Sequence, residues 1–152
     1  MNDISGDVIR KEMIFLQSKL TKKEDILEFL VDKSKENDLI TKKAPFFEAI
    51  MNREAEVPTA IGYKIAIPHG KSSVVNTPFI SFLQTESEFL WTEDYEESVK
   101  LVFLIGVPAE NSNNIHLKFI SQLSKKLLDD TFREKLIQVK NQNEAYEILS
   151  SI

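Results

Sequence analysis

The sequence predicts an α/β sandwich, a layer of strands packed against helices. Three observations carry that prediction. The strand-like runs YKIAIP, FISFLQ and KLVFLIGV lie together in the middle of the chain. Segments with helical spacing stand before and after them. The third run is almost continuously apolar, as a strand buried on both faces requires. Strands flanked by helices in this order favour one layered domain. At 152 residues the chain is long enough to bury its own core.

Taken in order, residues 1–11 read as a frayed lead-in and EMIFLQ, residues 12–17, as a short strand. TKKE at 21–24 has the form of a capping box, with Thr21 capping a helix and Glu24 reaching back to it. Ile26, Leu27, Leu30 and Val31 then repeat at helical spacing, which predicts a helix to about Glu36. A second helix is expected to open at Pro45, which suits a first helical position. Its apolar stripe is Phe46, Phe47, Ile50 and Met51, and it should stop before Pro58. YKIAIP alternates as a half-buried strand does and should end at Pro68. TEDYEES, preceded by Trp91, reads as an acidic connection between the second and third strands. SNNIHLKFISQLSKKLL predicts a long amphipathic helix with serine and asparagine available as caps. FREKLIQV and NEAYEILSSI predict two shorter helices. With no repeat, low-complexity tract or linker, residues 1–152 are expected to form a single domain.

Composition removes several classes of function. There is no cysteine, which excludes disulfides, thiolate zinc sites and thiol nucleophiles and fits a reducing compartment. The net charge is -5 and the lysines are interleaved with acids, so there is no basic stripe for nucleic acid. The lysine pairs 22–23, 42–43 and 125–126 read as solvated helix faces. The first residues carry no long apolar stretch, and no run approaches eighteen apolar residues. A cytoplasmic protein without membrane insertion is the expectation.

Three residues are candidates for chemistry. His69 is one of two histidines and stands between Pro68 and Gly70. Proline tends to end a strand, and glycine permits a sharp turn with exposed amides. The tripeptide alone reads more simply as a turn histidine with no duty. His116 falls in the first turn of the predicted helix that starts near 112–114, where unpaired N–H groups favour an anion. Alone it reads more simply as a partly buried histidine bonded to a carbonyl. Arg53 falls in the last turn of the second predicted helix, where it could either complement the helix C-terminus or grip a phosphate. Together the three suggest a phosphoryl site. A neutral imidazole is a good nucleophile near neutral pH. Phosphoryl transfer then asks chiefly for an in-line nucleophile and positive charge around the oxygens. A two-histidine metal site would need a third ligand, and none is marked by spacing.

At this point REAEVPTAIGYKIAIPHG, residues 53–70, resembles the active-site signature of the fructose/mannitol-type (type 2) enzyme IIA of the bacterial sugar phosphotransferase system. An acidic or amide residue, Glu54, is followed at fixed spacing by Ile61-Gly62 and then by Ile65-Ala66-Ile67-Pro68-His69-Gly70. Arg53 opens the segment, and His116 opens a leucine-rich helix as that family's second histidine does. The resemblance runs from TKKE to the C-terminal helices. It implies a mixed sheet covered by helices on both faces. It implies that His69 accepts a phosphoryl group from the phosphocarrier HPr and passes it to a cysteine of enzyme IIB, while Arg53 and His116 help hold the phosphate. No cofactor and no metal is expected. Lys64 and Pro58-Thr59 stand where the family often has a glycine and a Gly-Thr or Ser-Thr pair. Lys64 is expected to be an exposed strand residue. A second reading is the nitrogen-related regulatory branch, which is phosphorylated but serves no sugar. A third is a binding domain with a dead site, against which the intact Arg53, His69 and His116 argue.

Overall fold

The computed structural model describes residues 8–93, 95–110 and 115–152, with Tyr95, Ile115 and His116 described through their backbone alone. The order is β1 (Ile9–Ser18), α1 (Lys23–Glu36), α2 (Lys43–Glu56), β2 (Ala60–Gly62), β3 (Ile65–Ala66), β4 (His69–Ser72), β5 (Phe79–Thr92), β6 (Tyr95–Pro108), α3 (Ile115–Lys126), α4 (Asp130–Gln138) and α5 (Gln142–Ser150). The strands form one sheet in the order β1-β5-β6-β3-β2, with β4 also paired to β6. It is mixed: β1 runs parallel to β5, β5 antiparallel to β6, and β3 and β4 both parallel to β6.

Each face of the sheet carries its own apolar layer. Ile26, Leu27 and Leu30 of α1 and Phe46 and Ile50 of α2 meet Phe79, Leu83, Val102 and Leu104 on one face. Phe119 and Leu123 of α3, Phe132 and Leu136 of α4 and Ala145 and Leu149 of α5 meet Phe82, Phe103 and Ile105 on the other. Consecutive β6 residues therefore serve opposite layers, and residues 101–107 are buried without interruption. The expected α/β sandwich, with helices on both faces of a mixed sheet, is the fold observed. No helix among the described residues is long and apolar enough to cross a membrane.

Several boundaries differ from the sequence expectations. The first strand starts at Ile9, so residues 9–11 belong to it, while residues 1–7 of the expected lead-in lie outside the described residues. The capping box at 21–24 does not form. Lys22, not Thr21, is the N-cap residue of α1, and no side chain bonds there. Glu24 and Asp25 in the first turn and Lys33 and Lys35 in the last turn complement the helix dipole instead. Helix α2 opens two residues before Pro45, at Lys43. Pro45 still lies in the first turn, where its missing N–H has no partner to lose. TEDYEES is largely strand, because β5 and β6 continue as a ribbon to the pair Thr92–Tyr95. Glu96 and Glu97 are exposed on it. The expected caps of α3 at 112–114 lie outside the described residues.

YKIAIP is the main revision. It is not one strand. Ala60 pairs with Ala66 and Gly62 with Ile65, so Tyr63-Lys64 is the two-residue tip of a tight hairpin. Both tip residues have positive φ, 57° and 65°. Type I′ hairpin turns need this at both central positions, and the usual residues there are asparagine and glycine. Lys64 is thus a turn residue, and its Nζ lies 2.8 Å from Glu88 Oε2 on β5. Tyr63 lies against the Arg133 guanidinium, 4.7 Å from its ring centroid.

Candidate functional site

His69 is not on a turn at a strand end. Ile65–Ala66 pairs with Leu101–Val102, and His69–Ser72 pairs with Ile105–Pro108, at one and the same offset. The chain from Ile65 to Ser72 therefore follows β6 in one register, interrupted only at Ile67–Pro68. Proline has no N–H to give a ladder, but its carbonyl still accepts from Ile105 N at 3.0 Å. His69 is the first residue after this break, partly buried and locked to the central strand.

Gly70 has a different reason from the expected turn. It lies in β4 at an ordinary φ. A Cβ built on it would stand 2.7 Å from Ile50 Cγ1 and 3.0 Å from Phe46 Cε1. Its missing side chain lets α2 press onto β4. That close approach brings the last turn of α2, which carries Arg53 and Glu54, to the strand that carries His69.

The His69 ring is oriented by its own backbone neighbour. Nδ1 lies 3.2 Å from the Ile67 carbonyl oxygen. A carbonyl can only accept, so Nδ1 is the protonated nitrogen of the neutral ring and Nε2 carries the lone pair. Burial pushes the imidazole below its ordinary pKa. The Ile67 hydrogen bond opposes that, the Arg53 charge adds to it, and Glu54 and Glu56 oppose it. At neutral pH the ring is therefore held in its nucleophilic form.

Arg53 donates from Nη1 to the Val57 carbonyl at 2.8 Å, closing the C-terminus of α2 as a basic residue there is expected to do. A guanidinium has five N–H groups, so this bond leaves donors for an anion. The structure thus brings Arg53 and His69 into one electrostatic neighbourhood. His116 stands in the first turn of α3, which opens at Ile115, and its side chain lies outside the described residues. Among the described residues no group of three His, Asp or Glu side chains is placed to hold a metal ion.

One member of the neighbourhood carried no role in the sequence reading. Glu54 is buried, 4% exposed. Its Oε1 accepts from Trp91 Nε1 at 2.8 Å and from Thr59 N at 3.3 Å, and its Oε2 accepts from Thr59 Oγ1. Lys23 Nζ lies 3.6 Å away and also over the Trp91 ring. A glutamate at that position of the signature was the only sequence signal. Its hydrogen-bond donors lie 5 and 37 residues further along, and the second, Trp91, is beyond the reach of local pattern.

With this geometry in place, the comparisons with known proteins identify the class. The family model described as phosphoenolpyruvate-dependent sugar phosphotransferase system, EIIA 2, matches residues 7–152. The chain belongs to that family of phosphotransferase components. It is 29% identical to a fructose-specific EIIA component of Haloferax volcanii over 141 residues, covering 93% of this chain and 91% of that protein. Other curated relatives are several times longer: the chain spans 22% of the fructose-specific EIIABC component of Bacillus subtilis, at 30% identity. Among solved structures, the nitrogen regulatory protein IIA-Ntr of Neisseria meningitidis superposes with a TM-score of 0.84 at 27% identity, over 96% of this chain and 99% of that one. The mannitol enzyme IIA of Escherichia coli, solved in complex with phosphorylated IIB, shares the fold with a TM-score of 0.80 at 24% identity, over 95% of this chain and 100% of that one.

Proposed function

We propose that this protein is a phosphocarrier whose His69 accepts a phosphoryl group on Nε2 from HPr and passes it to a cysteine of an enzyme IIB of the fructose or mannitol type. The observation that carries the reading is the Nδ1–Ile67 hydrogen bond, which leaves the lone pair on Nε2 beside Arg53. The Nε2 lone pair attacks phosphorus as the donor's P–N bond breaks, and that electron pair stays with the donor. The proton remains on Nδ1, held by the Ile67 carbonyl. Arg53, with His116 from the first turn of α3, balances charge on the phosphoryl oxygens. In the second half the IIB thiolate attacks phosphorus, and the N–P electron pair returns to Nε2. Docking to both partners is transient and small, as a carrier needs. Family membership and the cysteine-free sequence support action in the cytoplasm.

A chase experiment tests the reading. The chain is phosphorylated from labelled phosphoenolpyruvate with enzyme I and HPr, separated, and mixed with fructose-type and mannitol-type IIB. Passage of label to a IIB thiol supports the carrier. Label that stays on the chain with every IIB overturns it in favour of the regulatory reading, which the likeness to IIA-Ntr supports.

A further inference from the structure

Among the described residues Glu54 is the only charged side chain that is fully buried. A buried carboxyl group is retained only when its hydrogen bonds are satisfied and its charge is countered. Here Trp91, Thr59 and Lys23 supply both. The network does not stop at Thr59. Thr59 O accepts from Ile67 N at 3.0 Å, and Ile67 O is the acceptor for His69 Nδ1 at 3.2 Å. One continuous path of hydrogen bonds therefore runs from Trp91 through Glu54, Thr59 and Ile67 to the imidazole. The neighbouring Arg53 fastens the start of the same loop by its bond to Val57 O. Adjacent residues of one helix turn thus clamp the two ends of Val57–Thr59, and only the Glu54 clamp leads on to the histidine.

We infer that Glu54 is a positioning residue for His69: by fixing Thr59 it fixes the Ile67 peptide, and so holds the ring in the Nδ1–H form with Nε2 as nucleophile. Trp91, on β5 of the central sheet, anchors the device. The chemistry requires a rigid anchor, because a ring that flips or changes tautomer presents an N–H where a lone pair must attack. Glu54 touches neither the phosphoryl group nor the reacting nitrogen. The inference rests on the phosphocarrier reading, but its first test does not.

That test is the ¹⁵N spectrum of the two imidazoles in the full chain at about pH 8, where a neutral histidine prevails, with the His69 ring identified by its loss in His69→Gln. The wild-type ring should show a protonated Nδ1 and an unprotonated Nε2. Glu54→Ala should move it to a mixture of tautomers and slow phosphoryl acceptance from HPr at least tenfold at saturation, with half-saturation unchanged. Glu54→Gln keeps an accepting oxygen for Trp91 and Thr59 and should keep both the tautomer and a rate within threefold. Thr59→Val removes only the hydroxyl donor and should shift the tautomer in the same direction as Glu54→Ala, which keeps the test open if Glu54→Ala does not fold. A protonated Nε2 in the wild type, or a wild-type tautomer in folded Glu54→Ala or in Thr59→Val, overturns the assignment. If no form takes a phosphoryl group, the phosphocarrier reading fails, and the tautomer still decides the positioning.

Discussion

His69 feels opposing influences. Burial and the Arg53 charge lower its proton affinity, while the Ile67 carbonyl, Glu54 and Glu56 raise it, and burial dominates. The sign follows directly. The folded chain holds fewer protons on this ring than the unfolded chain, so the neutral ring persists below the ordinary histidine range. An NMR titration of the ring should give a midpoint below about 6.5; a midpoint above that value contradicts the burial argument. Stability linked to this group is present above the ordinary value and falls as the pH drops through the lowered one. Arg53 acts on the same ring. Arg53→Ala removes a charge beside the site and a cap from α2, and should slow phosphoryl acceptance by a factor on the order of 10². A rate within twofold of wild type would leave Arg53 with its helix-capping role alone. At this scale the sequence was most informative about identity. His69, Arg53 and His116 stand out by residue type and by their fit to a signature. The ring nitrogen was not legible, because it depends on a carbonyl two residues back. Nor was the role of Glu54, whose donor Trp91 arrives through the fold.

At the scale of elements, the close packing of α2 on β4 makes the site. Gly70 is small so that Phe46 and Ile50 can reach the strand. Gly70→Ala must displace α2 or the strand and should cost about 1–3 kcal/mol by overpacking. The urea midpoint should fall accordingly, and an unchanged midpoint would show that α2 yields freely. The helices were legible because α1, α2, α4 and α5 repeat their apolar residues at helical spacing. The hairpin at residues 60–66 was not. Tyr63-Lys64 carries none of the usual turn chemistry, and YKIAIP alternates as a strand would. The capping box at 21–24 failed for a related reason. A motif offers a bond, but the backbone started the helix one residue later than Thr21 needed.

At the scale of the whole molecule, the sheet joins parts distant in sequence. Gln84, 2% exposed in β5, accepts from Gln17 N at 3.1 Å and donates from Nε2 to the carbonyls of Leu136, Ile137 and Val139 at 3.0, 3.1 and 2.8 Å. It links β1, β5 and the end of α4, whose last carbonyls have no helical partner. Gln84→Leu leaves them buried and unpaired and should destabilise the fold by about 2 kcal/mol. Phosphoryl acceptance below the melting temperature should be unchanged, since Gln84 has no bond to the path that ends at His69. Loss of acceptance in the folded variant would show that the two are coupled. The overall architecture was legible because the apolar run of β6 demands cover on both faces. The pairing order was not, because β1 finds β5, and β3 and β4 find β6, across long stretches of chain.

The most direct test of the account is the atom that carries the phosphate. The chain is phosphorylated from phosphoenolpyruvate with enzyme I and HPr, digested and mapped under alkaline conditions, and the ring nitrogen is assigned by ¹⁵N and ³¹P coupling. The account predicts label on Nε2 of His69 and none in His69→Ala. Label on His116, label on Nδ1 of His69, or an unlabelled folded chain beside active HPr would contradict it.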